Sequence, residues 1–255
     1  AQQAPPSLTQ LPVANAVARG QVNITQATTP NAAVMNVNQT SASAVVNWNT
    51  FNVGQNAQVN FNQPNANSAT LNRVVSADKS IINGVVNAPG QVAIVNAAGV
   101  VIGRGGEINA GAVIASTMNI SDKDFMDGKS TYRGDGTGKI INEGTISTNA
   151  KDGYIALLAT EVRNQGAIIA QMGTVAMASG EAVDLKFDSN NRLTSLRVDP
   201  SQIAALVDNR HAVQAPGGLV ILSAQSMDRL VGGVVKNSGR IEATGMQSDG
   251  GRIVL

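Results

Sequence analysis

Few side chains in this sequence could do covalent or metal chemistry, and none falls in a pattern that demands it. His211 is the single histidine and there is no cysteine, so an imidazole without thiol or acid-cluster partners reads as structural or solvent-exposed. Asp122, Asp124, Asp127 and Asp135 lie close together in sequence but lack the EF-hand spacing and its terminal Glu. The run Gly134-Asp135-Gly136-Thr137-Gly138-Lys139 is glycine-rich like a phosphate loop. It lacks the four-residue gap between glycines and the Ser or Thr after Lys, so it reads as a plain loop. Asn23-Ile24-Thr25, Asn38-Gln39-Thr40 and Asn119-Ile120-Ser121 are glycosylation sequons, of the kind chance supplies in an Asn-rich chain. No catalytic residue, cofactor or metal ligand follows. What remains is recognition by amides, densest from Asn60 to Asn67, where turn and ladder duty is the competing explanation.

The elements that must carry those amides are short strands. The chain has 255 residues with 26 Gly, 26 Asn, 14% charged and 43% apolar residues. Asn and Gly are poor helix formers and good turn formers, while the apolar fraction suffices for a core. Eleven Asn lie between Asn36 and Asn72. From Ala57 to Asn62 apolar and polar residues alternate strictly, the period of a strand with one buried face. Trp48, Phe51 and Phe61, in a chain with one Trp, two Tyr and four Phe, mark the best-filled part of the core. A net charge of +1 with no Lys/Arg run excludes a phosphate-binding patch and nucleic acid as a partner. No apolar run approaches the ~18 residues of a membrane span. Absence of cysteine suits passage through an oxidising compartment in an unfolded state, and the start at Ala1 suits either a mature form after signal removal or a trimmed chain.

Certain phrases resemble a known family. Asn47-Trp48-Asn49-Thr50-Phe51-Asn52-Val53-Gly54, Val59-Asn60-Phe61-Asn62-Gln63-Pro64, Leu71-Asn72-Arg73-Val74, and Gly99-Val100-Val101-Ile102-Gly103 leading to Ala115-Ser116-Thr117 resemble the two-partner secretion domain. That domain is the N-terminal module of large bacterial exoproteins such as filamentous haemagglutinins and high-molecular-weight adhesins. The likeness extends more loosely over the whole chain. Where the family usually reads Asn-Pro-Asn-Gly, this chain has Asn96-Ala97-Ala98-Gly99, keeping the first Asn and the Gly and losing the Pro.

The resemblance implies a secretion-targeting and folding-nucleating domain recognised by an outer-membrane TpsB transporter through its periplasmic POTRA domains. It implies a monomer reaching the surface of a Gram-negative bacterium by way of the periplasm. On this basis recognition or nucleation is assigned to Asn47, Trp48, Asn49, Phe51, Asn62, Pro64, Asn65, Asn72 and Arg73, with Asn96 and Gly99 second.

Repeats set the architecture. Ile140-Ile141-Asn142-Glu143-Gly144, Glu161-Val162-Arg163-Asn164-Gln165-Gly166 and Val234-Val235-Lys236-Asn237-Ser238-Gly239 match one another, with a weaker copy at Val207-Asp208-Asn209. Asn142 and Asn164 are 22 residues apart, a solenoid period. Leucine-rich repeats need regularly spaced Leu, which is absent. The expected fold is therefore an all-β, right-handed parallel β-helix of nine or ten coils, about 45 Å long at ~4.8 Å per coil. Residues 1–45 are expected to form an extended segment and cap, and 46–255 the helix.

The double spacing from Asn164 to Asn209 predicts an insert at about 181–207. It comprises a hairpin over Ala182–Val198 turning at Asn190-Asn191, then a helix over Pro200–Val207 capped by Asp199. A single helical turn is expected after Ser121, and a second short helix near Ser226–Leu230. The ending at Gly250-Gly251-Arg252-Ile253-Val254-Leu255, a copy of Gly217–Leu222, implies a chain that continues. Two other function classes remain, a β-helical carbohydrate-active enzyme and a passive stalk. The enzyme would need paired carboxylates on one coil face, and the 17 acids are scattered.

Overall fold

A computed structural model describes residues 2–134, 136–201, 205–226, 233–243 and 252–254. The chain winds as a parallel β-helix with three faces. The first face contains Ser43–Thr50, Ala69–Val74, Gln91–Val95, Ala112–Ser116, Tyr154–Leu158, Thr174–Ser179, Leu219–Ala224 and Arg252–Val254, all parallel. The second runs from Ala33–Gln39 and Ala57–Asn62 through Val85–Asn87 and Glu107–Ala110 to Arg240–Glu242. The third, of shorter strands, runs from Ser80–Ile82 to Gly233–Asn237. Each coil visits second, first and third face in turn.

Eight parallel strands on the first face, among the described residues, put the rod near 34 Å at ~4.8 Å per step. That is fewer coils than the sequence period suggests, because two segments leave the helix. One, between Ser116 and Ile140, holds the short helix Asp122–Met126 and the strand Thr131–Arg133. The other is an antiparallel hairpin of Ala182–Phe187 and Leu193–Asp199. These three strands form a separate small sheet. The helical turn starts where Ser121 accepts a hydrogen bond from the Asp124 amide at 3.1 Å.

Parallel stacking starts at Ala33, ahead of the Val46 boundary read from sequence: Ala33–Asn38 pairs with Ala57–Asn62, and Ser43–Trp48 with Ala69–Val74. Among the described strands of the three faces, only Val13–Arg19 and Val22–Thr28 run antiparallel, closing the end of the helix. The first residues are extended and tied down. Gln3 exchanges two hydrogen bonds with the Lys79 backbone, the Gly54 amide donates to Gln10 O, and a Cβ on Gly54 would lie 2.1 Å from Ser7 O.

The helix expected over Pro200–Val207 is not what the chain forms at its end. Ala205–Asn209 is a third-face strand paired with Glu161–Asn164, since the ladder and the burial of Val207 outweigh the local Asp-Pro cap signal. The intervening 202–204, most of the helix expected near Ser226–Leu230, Asp135, and both ends of the final copy lie outside the described residues.

Two cores result. Inside the coils stack Val, Ile and Leu from all faces, with Trp48, Phe51 and Phe61 at the N-terminal end. The second lies on the outer surface of the first face. Leu71, Ile114, Ala156, Ala176 and Ile221 are covered there by Phe125, Tyr132, Val183, Leu185 and Leu193 of the two excursions. First-face strands are therefore buried on both sides, as the continuous apolar run 175–178 within Thr174–Ser179 requires. Among the described residues, no helix is long and apolar enough to cross a membrane.

Candidate recognition face

The eleven residues singled out from sequence divide by burial. Trp48 and Asn72 are fully buried and Phe51 nearly so. The Trp48 indole donates to Asn72 Oδ1 at 3.0 Å, and Asn72 Nδ2 donates on to Ala93 O at 3.2 Å in the next coil. Trp48 meets Phe51 edge-on at 5.3 Å, and Phe51 stacks on Phe61 at 6.5 Å. These residues fill and order the first coils, and no partner reaches them in the folded domain.

Asn96 is also fully buried. Its amide donates to Asp78 O and Ser80 Oγ, and its Oδ1 accepts from the Ala98 amide. Gly99 sits at φ +117, where a Cβ would come within 2.9 Å of Lys139 O. This corner turns the chain from first to third face, with Ala97 and Ala98 between Asn96 and Gly99.

Arg73 is a clamp. Its guanidinium donates to Asp122 at 2.6 Å, Ile120 O at 2.6 Å, Asn119 Oδ1 at 3.0 Å and Asn47 Oδ1 at 3.2 Å. It thereby fixes the helical excursion to the first face, and half-buried Asn47 is one of its acceptors.

Asn49, Asn62, Pro64 and Asn65 are exposed. Asn49 accepts from Asn15 Nδ2 at 3.0 Å across the cap. Asn62 ends a row of amides on the outer second face, donating to Asn38 Oδ1 at 2.9 Å and Asn36 Oδ1 at 3.2 Å. The strand register aligns Asn36, Asn60, Asn87, Asn109 and Ser147 in successive coils. Pro64 and Asn65 begin the turn to the first face, with Asn65 Oδ1 accepting from the Asn67 amide at 2.9 Å.

Directly beneath that turn lies a buried staple that sequence reasoning missed. Gln63 Nε2 donates to Thr70 Oγ1 at 2.8 Å and Gln91 O at 2.9 Å, while its Oε1 accepts from the Gly90 amide. Thr70 Oγ1 donates to Gln39 Oε1 at 2.6 Å. A paired Gln at the last position of one strand and the position just past the next, on neighbouring coils, is the signal that could have found it. The turn is thus exposed yet rigidly held.

Charge is nearly absent here. Of 18 basic and 17 acidic side chains, only Arg19 precedes Arg73. Among the described residues, no three of His, Cys, Asp and Glu come together as metal ligands. What the face offers is hydrogen-bonding amides on a flat sheet next to a fixed, uncharged turn.

Comparison with known proteins places this geometry. The family model described as the TPS secretion domain matches residues 12–255. A heme/hemopexin-binding protein of Haemophilus influenzae (strain ATCC 51907 / DSM 11121 / KW20 / Rd) is 30% identical over 257 residues, covering 98% of this chain and 27% of that protein. A second heme/hemopexin-binding protein of Haemophilus influenzae is 28% identical over 87% of this chain and 26% of its own length. The chain therefore spans about a quarter of the curated relatives it matches. Among solved structures, the HMW1 secretion domain from Haemophilus influenzae superposes with TM-score 0.81 at 25% identity, over 95% of this chain and 62% of that one. The filamentous hemagglutinin secretion domain matches at TM-score 0.51 and 14% identity, over 96% of this chain and 97% of that one, a likeness of fold.

Proposed function

This chain belongs to the TPS secretion domain family, and from that premise we propose how it addresses its transporter. TPS domains target exoproteins for secretion and are recognised by TpsB transporters; the family is a secretion family, not an enzyme family. In our reading the domain acts as a monomer and the periplasmic POTRA domains of the transporter are its partner. The contact is made by the uncharged N-terminal coils: the Pro64–Asn67 turn, the Asn62 end of the amide row, and the free edge of Val13–Arg19.

The observation that carries this is the separation of roles within one sequence phrase. Trp48, Phe51 and Asn72 are buried, while Asn62, Pro64 and Asn65 are exposed on a rigid support. An exposed strand edge free of charge, apart from Arg19, is suited to strand addition by a partner. Val13–Arg19 is such an edge, the outermost strand of its sheet. Local, coil-by-coil pairing also lets the chain thread unfolded and fold progressively outside, each coil templating the next. The polypeptide then emerges at the cell surface of a Gram-negative bacterium. Heme or hemopexin binding is named for relatives of which this domain covers about a quarter, and we assign it no residue here.

The test replaces Asn62, Pro64 and Asn65 together by Ser, Ala and Ser and follows two readouts. Secretion should fall at least tenfold while the thermal midpoint of the purified domain stays unchanged. Equal loss of both would reduce the turn to scaffold. Unimpaired secretion of an exoprotein lacking residues 1–255 would end the targeting reading.

A further inference from the structure

Away from the N-terminal strand edge, a cavity of about 510 Å³ opens between the corner where second-face strands turn into the first face and the extra-helical layer. That volume lies within the roughly 300–1,000 Å³ of small-molecule sites. The chain has one Trp, two Tyr and four Phe, and both Tyr and two of the Phe line this one cavity. They come from separate elements: Phe125 from the helical turn, Tyr132 from the strand after it, Tyr154 from the first face and Phe187 from the hairpin. Packing alone asks for nothing polar at their tips.

Tyr132 is only 1% exposed, yet its hydroxyl makes no hydrogen bond to any described residue, and neither does that of Tyr154. Neither oxygen is among the fully buried polar atoms left without a partner, so both open onto the cavity and are free to bond what enters it. Burial pushes both phenols far above their ordinary pKa, with the neighbouring Tyr154 adding to the effect on Tyr132. Both hydroxyls are therefore protonated at any physiological pH and able to donate as well as accept.

The rings form a corner, Tyr154 against Phe187 at 5.1 Å and 60°. At the rim stand Asn67, Asn190 and Asn191, whose side-chain amides likewise have no partner among the described residues. Charges around the opening are mostly spent on one another: Lys129 pairs with Asp124 at 3.4 Å, and Asp152 with Arg192 at 3.3 Å. A polyanion or a cation finds no matching set here.

Aromatic faces beside neutral groups that both donate and accept describe one ligand chemistry well. A pyranose ring has an apolar C–H face to lie on an aromatic ring and a girdle of hydroxyls that donate and accept in turn. We propose that this cavity binds a neutral mono- or disaccharide, stacked on Tyr154 and hydrogen-bonded by the hydroxyls of Tyr132 and Tyr154 and the amides of Asn67, Asn190 and Asn191.

The test uses the whole domain, isotope-labelled, titrated by NMR with glucose, galactose, N-acetylglucosamine, maltose and lactose at millimolar concentrations. At least one should give saturable shifts centred on Tyr132, Tyr154 and the Asn190-Asn191 turn. Tyr132→Phe and Tyr154→Phe should each weaken that binding tenfold or more, while the free domain melts at nearly the same temperature because neither hydroxyl bonds another described residue. A purely structural tyrosine gives the reverse, a lower melting temperature with no effect on saccharide. Absence of saturable shifts with all five sugars, shifts centred elsewhere, or unchanged affinity in both variants overturns the proposal.

Discussion

Two rows of asparagine run along this rod, one inside and one outside. The inner row turns the corner between third and second face: Asn142 Nδ2 donates to Asn164 Oδ1 at 2.9 Å, Asn164 to Asn209 at 2.9 Å, and Asn209 to Asn237, where the row comes out to solvent, at 2.8 Å; the first three are fully buried. Each of the first two also donates to a backbone carbonyl a coil further on and accepts from a glycine amide two residues ahead. The outer row, Asn36, Asn60, Asn87 and Asn109, lies on the second face with bonds reaching 3.4 Å and water beside it. The same side chain at the same coil spacing serves two purposes because burial differs. Inside, every donor and acceptor must be satisfied within the protein; outside, solvent replaces any lost bond. The inner row holds the fold, and the outer row is available to a partner.

The largest effect should come from breaking the inner row. Asn164→Ala removes its bonds to Asn209 and the Ala212 carbonyl and leaves Asn142 Nδ2 and the Gly166 amide short of a partner. At roughly 1–3 kcal/mol for a buried group left unsatisfied, the loss should be about 3 kcal/mol or more. Urea unfolding of the purified domain measures it. A loss below about 1 kcal/mol would mean water enters the corner and the inside–outside contrast fails.

At the N-terminal end a single donor can be tested. Trp48→Phe keeps the ring contact with Phe51 but strips the hydrogen bond from Asn72 Oδ1, at an expected cost of about 1–3 kcal/mol. It should also slow refolding if these coils form first.

How far the sequence reveals these features follows from the same physics. The inner row is legible because Asn with Gly two residues on recurs at Asn142, Asn164 and Asn237 between similar apolar strands, and Asn209 shares the strand end despite its weaker surroundings. Trp48 and Phe51 were legible as core by scarcity of aromatics, but their burial could not be separated from exposure of Asn62 and Pro64 a few residues on. The strand Ala205–Asn209 was misread because Asp199-Pro200 is a local signal and the pairing with Glu161–Asn164 is not. The aromatic cavity left no trace in sequence, since its residues come from four elements.

Acid should separate the two halves more gently. Burial works against ionisation of Glu161, but the hydrogen bond from Lys139 and the charges of Arg163 and Lys139 outweigh it, holding the carboxyl below its ordinary 4.5. Burial likewise opposes, and hydrogen bonds from Lys186 and Thr131 outweigh, in lowering Asp184 from 3.8. A carboxyl whose pKa is lower folded than unfolded stabilises fully above the unfolded value, and that stability is lost as pH falls through the folded one. Stability should therefore be flat above about pH 5 and decline below 4.5. Before Asp78 there is no acidic residue, so the first coils supply no carboxyl of their own to that decline and meet one only where Arg73 holds Asp122. Hydrogen exchange, corrected for intrinsic rates, should show protection lost first around Glu161–Asn164 and the hairpin. Equal loss in Ala33–Val74 would show that the rod unfolds as one unit and blunt the contrast.

The smallest effect should come from the outer row, and it is the sharper half of the comparison. Asn60→Thr removes an acceptor for Gln58 Nε2 at 2.7 Å and Asn87 Nδ2 at 3.4 Å, and a donor to Asn36. Gln58, Asn36 and Asn87 are all half-exposed, so water takes up each broken bond and no buried group is orphaned. Against this small loss, Thr fits a half-buried pleated surface better than Asn by a fraction of the ~1 kcal/mol spread of strand propensities. The two nearly cancel, and the change in unfolding free energy should stay within about 0.5 kcal/mol. Stability and secretion can then be read independently: an unchanged midpoint with reduced secretion marks the outer row as part of the recognised surface, and an unchanged midpoint with full secretion confines recognition to the Pro64–Asn67 turn and the cap edge. A drop of 2 kcal/mol would show that this row, too, is structural, and the distinction between the rows would be gone.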